Sequence, residues 1–140
     1  MNRLRRGALL VLVASGVTVG VWAQGFPRSF YDDFPGPGRM WVSLDGPYNE
    51  HLVRDVGGLN LGLALVAAIA LVTGSVLVAR AAGGAALVFG LPHLLYHATH
   101  LGPFDTGDAV AVVVSLTLAV LAGVLALAAP VTGGPGGQPR

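Results

Sequence analysis

The chain has 140 residues, 54% of them hydrophobic and only 11% charged, with a mean hydropathy of +0.70; soluble domains carry roughly 25% charged residues, so an ordinary water-soluble fold is excluded. The formal net charge is +1, every Lys/Arg position is Arg, and no basic block lies outside the N-terminus, which argues against a nucleic-acid partner. Cysteine is absent, which excludes disulfides, thiolate metal sites, iron–sulfur clusters and c-type haem attachment.

Stretches free of Asp, Glu, Lys and Arg form four long runs: 7–27, 56–79, 81–104 and 109–139. A helix needs about 20 apolar residues to cross the hydrocarbon core. Spans are therefore expected near 7–24, 57–79, 82–100 and 108–129. The runs are continuously apolar rather than alternating, which selects helices over barrel strands. The expected fold is all-α, a polytopic membrane protein with four transmembrane helices in a single domain over 1–129.

The first run has a second reading. Met1 to Arg6 is basic, an apolar segment follows, and Val21-Trp22-Ala23 has the small-residue pattern of a signal-peptide cleavage site. The apolar segment is longer than a typical signal core, and Trp22 suits an interfacial anchor, so a retained first span is preferred. Cleavage would leave three spans and move the N-terminus outside.

Residues 26–55 form the one sizeable polar loop. It holds six of the ten aromatics, namely Phe26, Phe30, Tyr31, Phe34, Trp41 and Tyr48, together with Pro27, Pro35, Pro37 and Pro47. A loop this long without evident regular structure is functional or disordered, and the aromatics argue against disorder. An ordered outer cap with rings at headgroup depth is expected. A lid over a site between the helices is the sharper alternative.

The segment leading into span two carries Glu50, His51, Arg54 and Asp55. As a helix, Glu50–Arg54 and His51–Asp55 are favourable i,i+4 pairs within an arc of about 140°. Gly58 and Gly62 continue that arc, and small residues four apart let membrane helices approach closely. The expectation is that this face turns the charges toward the bundle. The plainer reading is a solvated ion-pair cluster. Asn60 faces away from the arc and is not recruited.

Arg80 to Gly84 reads as a tight turn, making spans two and three antiparallel neighbours. Span three ends in Pro92-His93-Leu94-Leu95-Tyr96-His97-Ala98-Thr99-His100. His93, His97 and His100 share an arc of about 60°, which Ala86, Phe89 and Gly90 extend inward. Pro92 frees a carbonyl one turn earlier. Intramembrane ionisable groups are costly and mark a functional site by default. Three readings stand: interfacial hydrogen bonding, a transition metal or haem iron, and a protonation relay or small-ligand pocket. For a metal, His93 and His97 at i,i+4 would be joined by His100, or by Glu50, His51 or Asp55 from span two. Imidazole and carboxylate suit zinc, copper(II), iron or nickel.

Asp105 and Thr106 are N-cap candidates for span four, with Asp108 in its first turn near the positive helix end. Thr73, Ser75, Ser115 and Thr117 within the spans fit helix-internal hydrogen bonds. The Gly/Pro-rich tail, 130–140, is expected to be disordered and cytoplasmic. No acid, Lys or Arg lies at mid-span, which weakens channel, pump and transporter readings. No nucleophile triad, phosphate loop, dinucleotide fingerprint or HExxH motif is present, so the chain leans away from an enzyme.

With four spans, Arg3, Arg5, Arg6, Arg80 and Arg140 share one side without an acid. All seven acids share the other with Arg28, Arg39 and Arg54. The positive-inside rule then puts both termini in the cytoplasm. Abundant Ala, Gly, Val and Arg without Lys fit a high-GC bacterial source, hence a bacterial inner (plasma) membrane.

Tyr31 to His100, with its core Trp41-Val42-Ser43-Leu44-Asp45-Gly46-Pro47-Tyr48-Asn49-Glu50-His51, resembles an uncharacterised family of four-helix membrane proteins of actinobacteria. The four-span layout is similar to the DoxX-like group. The resemblance implies the fold and carries over no activity or catalytic residue. Two functions are expected to compete. One is a non-enzymatic accessory subunit of a membrane assembly. The other is a metal-, haem- or small-ligand-binding protein with an outward-facing site of His93, His97, His100, His51, Glu50 and Asp55.

Overall fold

A computed structural model describes residues 1–130, so the expected disordered tail lies, from residue 131, outside the described residues. Five α-helices run in order: α1 (Arg3–Gly25), α2 (Pro27–Asp33), α3 (Glu50–Thr73), α4 (Val76–Thr99) and α5 (Thr106–Ala128). Among the described residues there is no strand. The fold is all-α, and α1, α3, α4 and α5 are long and apolar enough to cross a membrane. Their 23 or 24 residues reach about 35 Å at 1.5 Å per residue, enough for the hydrocarbon core.

Each long helix starts at a side chain that accepts a free N–H of its first turn. Asn2 accepts from Arg5 N, Asn49 from Leu52 N, Ser75 from Val78 N, and Asp105 from Asp108 N. These caps set helix starts that charge-free runs cannot. α1, α3 and α4 begin four to seven residues before the spans expected from the charges, so Arg3, Arg5, Arg6 and Arg54 are helical. The reversal expected at Arg80–Gly84 falls instead at Gly74-Ser75. Gly74 adopts the left-handed conformation, φ 67°, that ends a helix, and Ser75 caps the next. Arg80 is therefore an exposed residue in the second turn of α4.

The four long helices form a sequential up-and-down bundle, each antiparallel to its neighbours, with α1 closest to α3 and α4 closest to α5. Glycine makes both close pairs. A Cβ on Gly16 would lie 2.9 Å from Asn60 O, and one on Gly57 would lie 2.6 Å from Gln24 N. A Cβ on Gly83 would lie 2.6 Å from both Gly123 O and Leu127 N. The expectation for Gly58 and Gly62 is overturned: both have open space where a side chain would stand. The register of α3 is set by Gly57, Leu61 and Ala64 meeting Gly16, Gly20 and Gln24 of α1, which turns the Gly58–Gly62 face outward.

At one end of the bundle small side chains from all four helices close the core: Ala8, Ala67, Ala70, Ala79, Ala82 and Ala126 are buried there with Leu9. Beneath them Arg5 is fully buried. Its Nε donates to Ala126 O at 3.0 Å and its Nη2 donates to Ala129 O, so α1 supplies the cap for the last carbonyls of α5. Asn2 Nδ2 reinforces the joint by donating to Pro130 O at 2.8 Å.

At the other end residues 26–49 fold into an ordered cap made of α2 and a 3₁₀ turn, Ser43–Asp45. A row of edge-on and tilted rings holds it to the bundle: Trp22–Phe30, Phe30–Phe34, Phe34–Trp41 and Trp41–Phe104, with centroids 5.8, 4.7, 6.1 and 6.4 Å apart. Arg39 of the cap pairs with the buried Asp108 of α5. Arg28 lies over the Tyr31 and Tyr48 rings, and its hydrogen bond to Asp32, then that residue's charge, hold it above its ordinary pKa.

Candidate functional site

The six sequence-derived candidates do not form one site. On α3, Glu50 accepts from Arg54 at 2.9 Å and His51 Nε2 lies 3.3 Å from Asp55. The His51 and Asp55 side chains are 82% and 60% exposed, so this pair is a solvated surface cluster. Arg54 Nη1 donates to Gln24 O, turning toward the end of α1 rather than toward α4. The α3 charges thus look away from the histidines because the Gly57 register rotates them outward.

On α4 the stripe holds for two of its three histidines. The His93 and His97 rings meet edge to face at 4.8 Å, and His93 stacks on Phe89 at 5.4 Å. His100 leaves the stripe. It is the C-cap residue, no longer helical, and its ring stacks on Tyr96 at 4.3 Å with Nδ1 2.8 Å from Tyr96 O. Helical spacing cannot be extended through a residue that ends the helix. Among the described residues no group of three or more His, Cys, Asp or Glu gathers to hold a metal ion.

The acid that does approach the histidines comes from the cap. Tyr96 Oη donates to Asp45 Oδ1 at 3.0 Å, and Asp45 lies within electrostatic range of both His93 and His97. His97 also meets Phe104, the last ring of the aromatic row, at 6.2 Å. Its Nδ1 is buried without a hydrogen-bond partner among the described residues.

Below His93 lies a cavity of about 80 Å³ walled by all four long helices. The half-buried Asn60 of α3 and His93 of α4 and the exposed Ser15 of α1, at the cavity's edge, are its polar lining, among apolar residues such as Leu63, Phe89 and Leu116. Ser15 Oγ donates to Val11 O at 2.8 Å and Asn60 Nδ2 to Val56 O at 2.9 Å, and among the described residues no protein donor reaches Ser15 Oγ or Asn60 Oδ1. A larger hollow of about 420 Å³ is a shallow apolar groove over Phe104, Val110 and Val114, with Thr106 at its edge.

Sequence reasoning set Asn60 aside and did not recruit Ser15, Asp45, Arg39 or Arg5. Asn60 was findable: Gly57, Asn60, Leu61 and Ala64 follow the i, i+3, i+4, i+7 pattern of an inward helix face. Asp45 and Arg39 carried no periodic signal, because the cap that positions them is irregular. No family model, curated protein or solved structure matches this chain.

Proposed function

We propose that this chain is a non-enzymatic integral protein of a bacterial plasma membrane, with both termini cytoplasmic and the cap outside, serving as an accessory subunit of a larger membrane assembly. Cavity size carries the non-enzymatic part. Pockets that take substrates and cofactors run about 300–1,000 Å³ and carry convergent polar groups; the cavity below His93 has about 80 Å³, and the groove of about 420 Å³ over Phe104 has no titratable side chain in its lining.

Orientation is supported by which arginines are neutralised. Arg28, Arg39 and Arg54 at the cap end each pair with an acid, Asp32, Asp108 and Glu50. Arg3, Arg6 and Arg80 at the opposite end are exposed with no acid in their part of the sequence. Unneutralised arginine at one end is the positive-inside pattern. A retained first span is supported by the glycines and Arg5 that tie α1 to α3 and α5. The assembly role is supported by Gly58 and Gly62, whose open face on α3 suits close approach of a further helix. Kinship with the actinobacterial four-helix proteins of DoxX-like layout belongs to the same proposal, and the sequential bundle is consistent with it.

A second reading, a metal or haem iron on His93 and His97, is favoured by the unpartnered His97 Nδ1. One experiment separates the two. The protein, purified gently in detergent, is measured for bound metals by mass spectrometry and for an absorption spectrum, beside His93→Ala/His97→Ala. The accessory reading expects no stoichiometric metal, no haem band and co-purification of a partner that Gly58→Leu/Gly62→Leu releases. Stoichiometric metal or a haem band, lost in the double variant, would replace it with the cofactor reading.

A further inference from the structure

The central cavity carries an inference that assembly with a partner does not require. Its polar lining cannot satisfy itself. Ser15 and Asn60 each spend their donors on their own helix, and among the described residues the His93 ring meets Phe89 and His97 rather than a hydrogen-bonding group. The cavity of about 80 Å³ has room for water. Water occupies roughly 30 Å³ in the liquid and needs two to four polar partners, which an apolar cavity lacks and this one offers.

The two ends of the cavity differ. Toward the arginine end it meets the close-packed floor of Ala8, Leu9, Ala67, Ala70, Ala79 and Ala126. Toward the cap it meets His93, then His97, then the Tyr96–Asp45 pair, of which Tyr96 and Asp45 are exposed. We infer that Ser15, Asn60 and His93 form a water-binding site, holding two or three molecules at mid-bundle, and that this vestibule opens along the histidines to the cap side and is sealed on the other. The ligand class is water, or a small uncharged hydrogen-bonding solute of its size. The inference rests on the reading of a membrane-spanning bundle but not on which face of the membrane the cap occupies.

The natural absence of cysteine makes the test direct. Ser15→Cys and Asn60→Cys are placed singly in the full chain, reconstituted in vesicles, and exposed to a small membrane-impermeant methanethiosulfonate from either face. Val17→Cys, on the exposed apolar side of α1, is the control in lipid. Gly36→Cys in the cap reports which face the cap occupies, so a wrong orientation is read separately from a dry cavity. A thiol reacts as its thiolate, which forms in water and not in hydrocarbon. Both vestibule variants should therefore react about tenfold faster than Val17→Cys, and only from the face that labels Gly36→Cys. Ser15→Cys is nearly isosteric, and Asn60→Cys repeats the measurement from a second helix. Labelling of both no faster than Val17→Cys would overturn the water site. Equal labelling from both faces would overturn the seal.

Discussion

Glycine does different work at positions that look alike in the sequence. At Gly57 and Gly83 an added Cβ would meet backbone atoms of the facing helix at 2.6 Å, which cannot move without separating the pair. At Gly20 the same Cβ meets Leu61 Cγ at 2.6 Å, a side chain that can change rotamer, and the Leu61 backbone nitrogen only at 3.0 Å. Gly57→Ala and Gly83→Ala should each lower resistance to unfolding in detergent–SDS mixtures by about 1–3 kcal/mol. Gly20→Ala should cost less, and Gly58→Ala should stay within about 0.5 kcal/mol of wild type. The reverse order would mean that α3 packs through its other glycine face. Arg5 is a second case. Arg5→Met keeps the stem of the side chain but leaves the Ala126 and Ala129 carbonyls without their donor, and should destabilise by about 1–3 kcal/mol, read in the same assay. Neither the choice between Gly57 and Gly58 nor the burial of Arg5 was legible, for a shared physical reason. Each depends on a partner helix far away in sequence, and an arginine near an N-terminus ordinarily reads as solvated.

The helices and the cap differ in what holds them. Helix ends follow local chemistry, so the Gly74-Ser75 reversal was in principle readable as a left-handed stop followed by a cap. The charge at Arg80 drew the expected turn away from it, because charge marks a span's end only when the side chain cannot reach out to water. The span count survived such errors because apolar length does not depend on register. The cap instead hangs on tertiary contacts: the aromatic row, the Arg39–Asp108 pair and the Tyr96–Asp45 hydrogen bond. Removing the ion pair should loosen the cap and spare the bundle. Arg39→Gln and Asp108→Asn should each speed protease cleavage within 34–49 several-fold while helical circular dichroism stays unchanged. The double variant should be no worse than the poorer single one, because both break the same contact. Additive effects would show that the two side chains act separately.

The whole bundle depends on α1, which contributes a wall of the cavity, the glycine surface for α3 and the cap for α5. Intact-mass measurement of the membrane-extracted protein should accordingly include residues 1–25, and a mature form beginning after Ala23 would make the first helix a signal peptide. The histidine stripe was half legible. His93 and His97 follow from helical spacing, whereas His100 departs where the helix ends, and the acid they face lies in an aperiodic loop. The joint between Asn2, Arg5 and the end of α5 also has a consequence for how the protein is made. α5 leaves the ribosome after α1, α3 and α4, so until it is made Arg5 lacks the Ala126 and Ala129 carbonyls that it binds in the folded bundle. The joint can close only after α5 inserts. An unfinished or truncated chain would keep that arginine unsatisfied, and membrane quality control could read it as a sign of incomplete assembly.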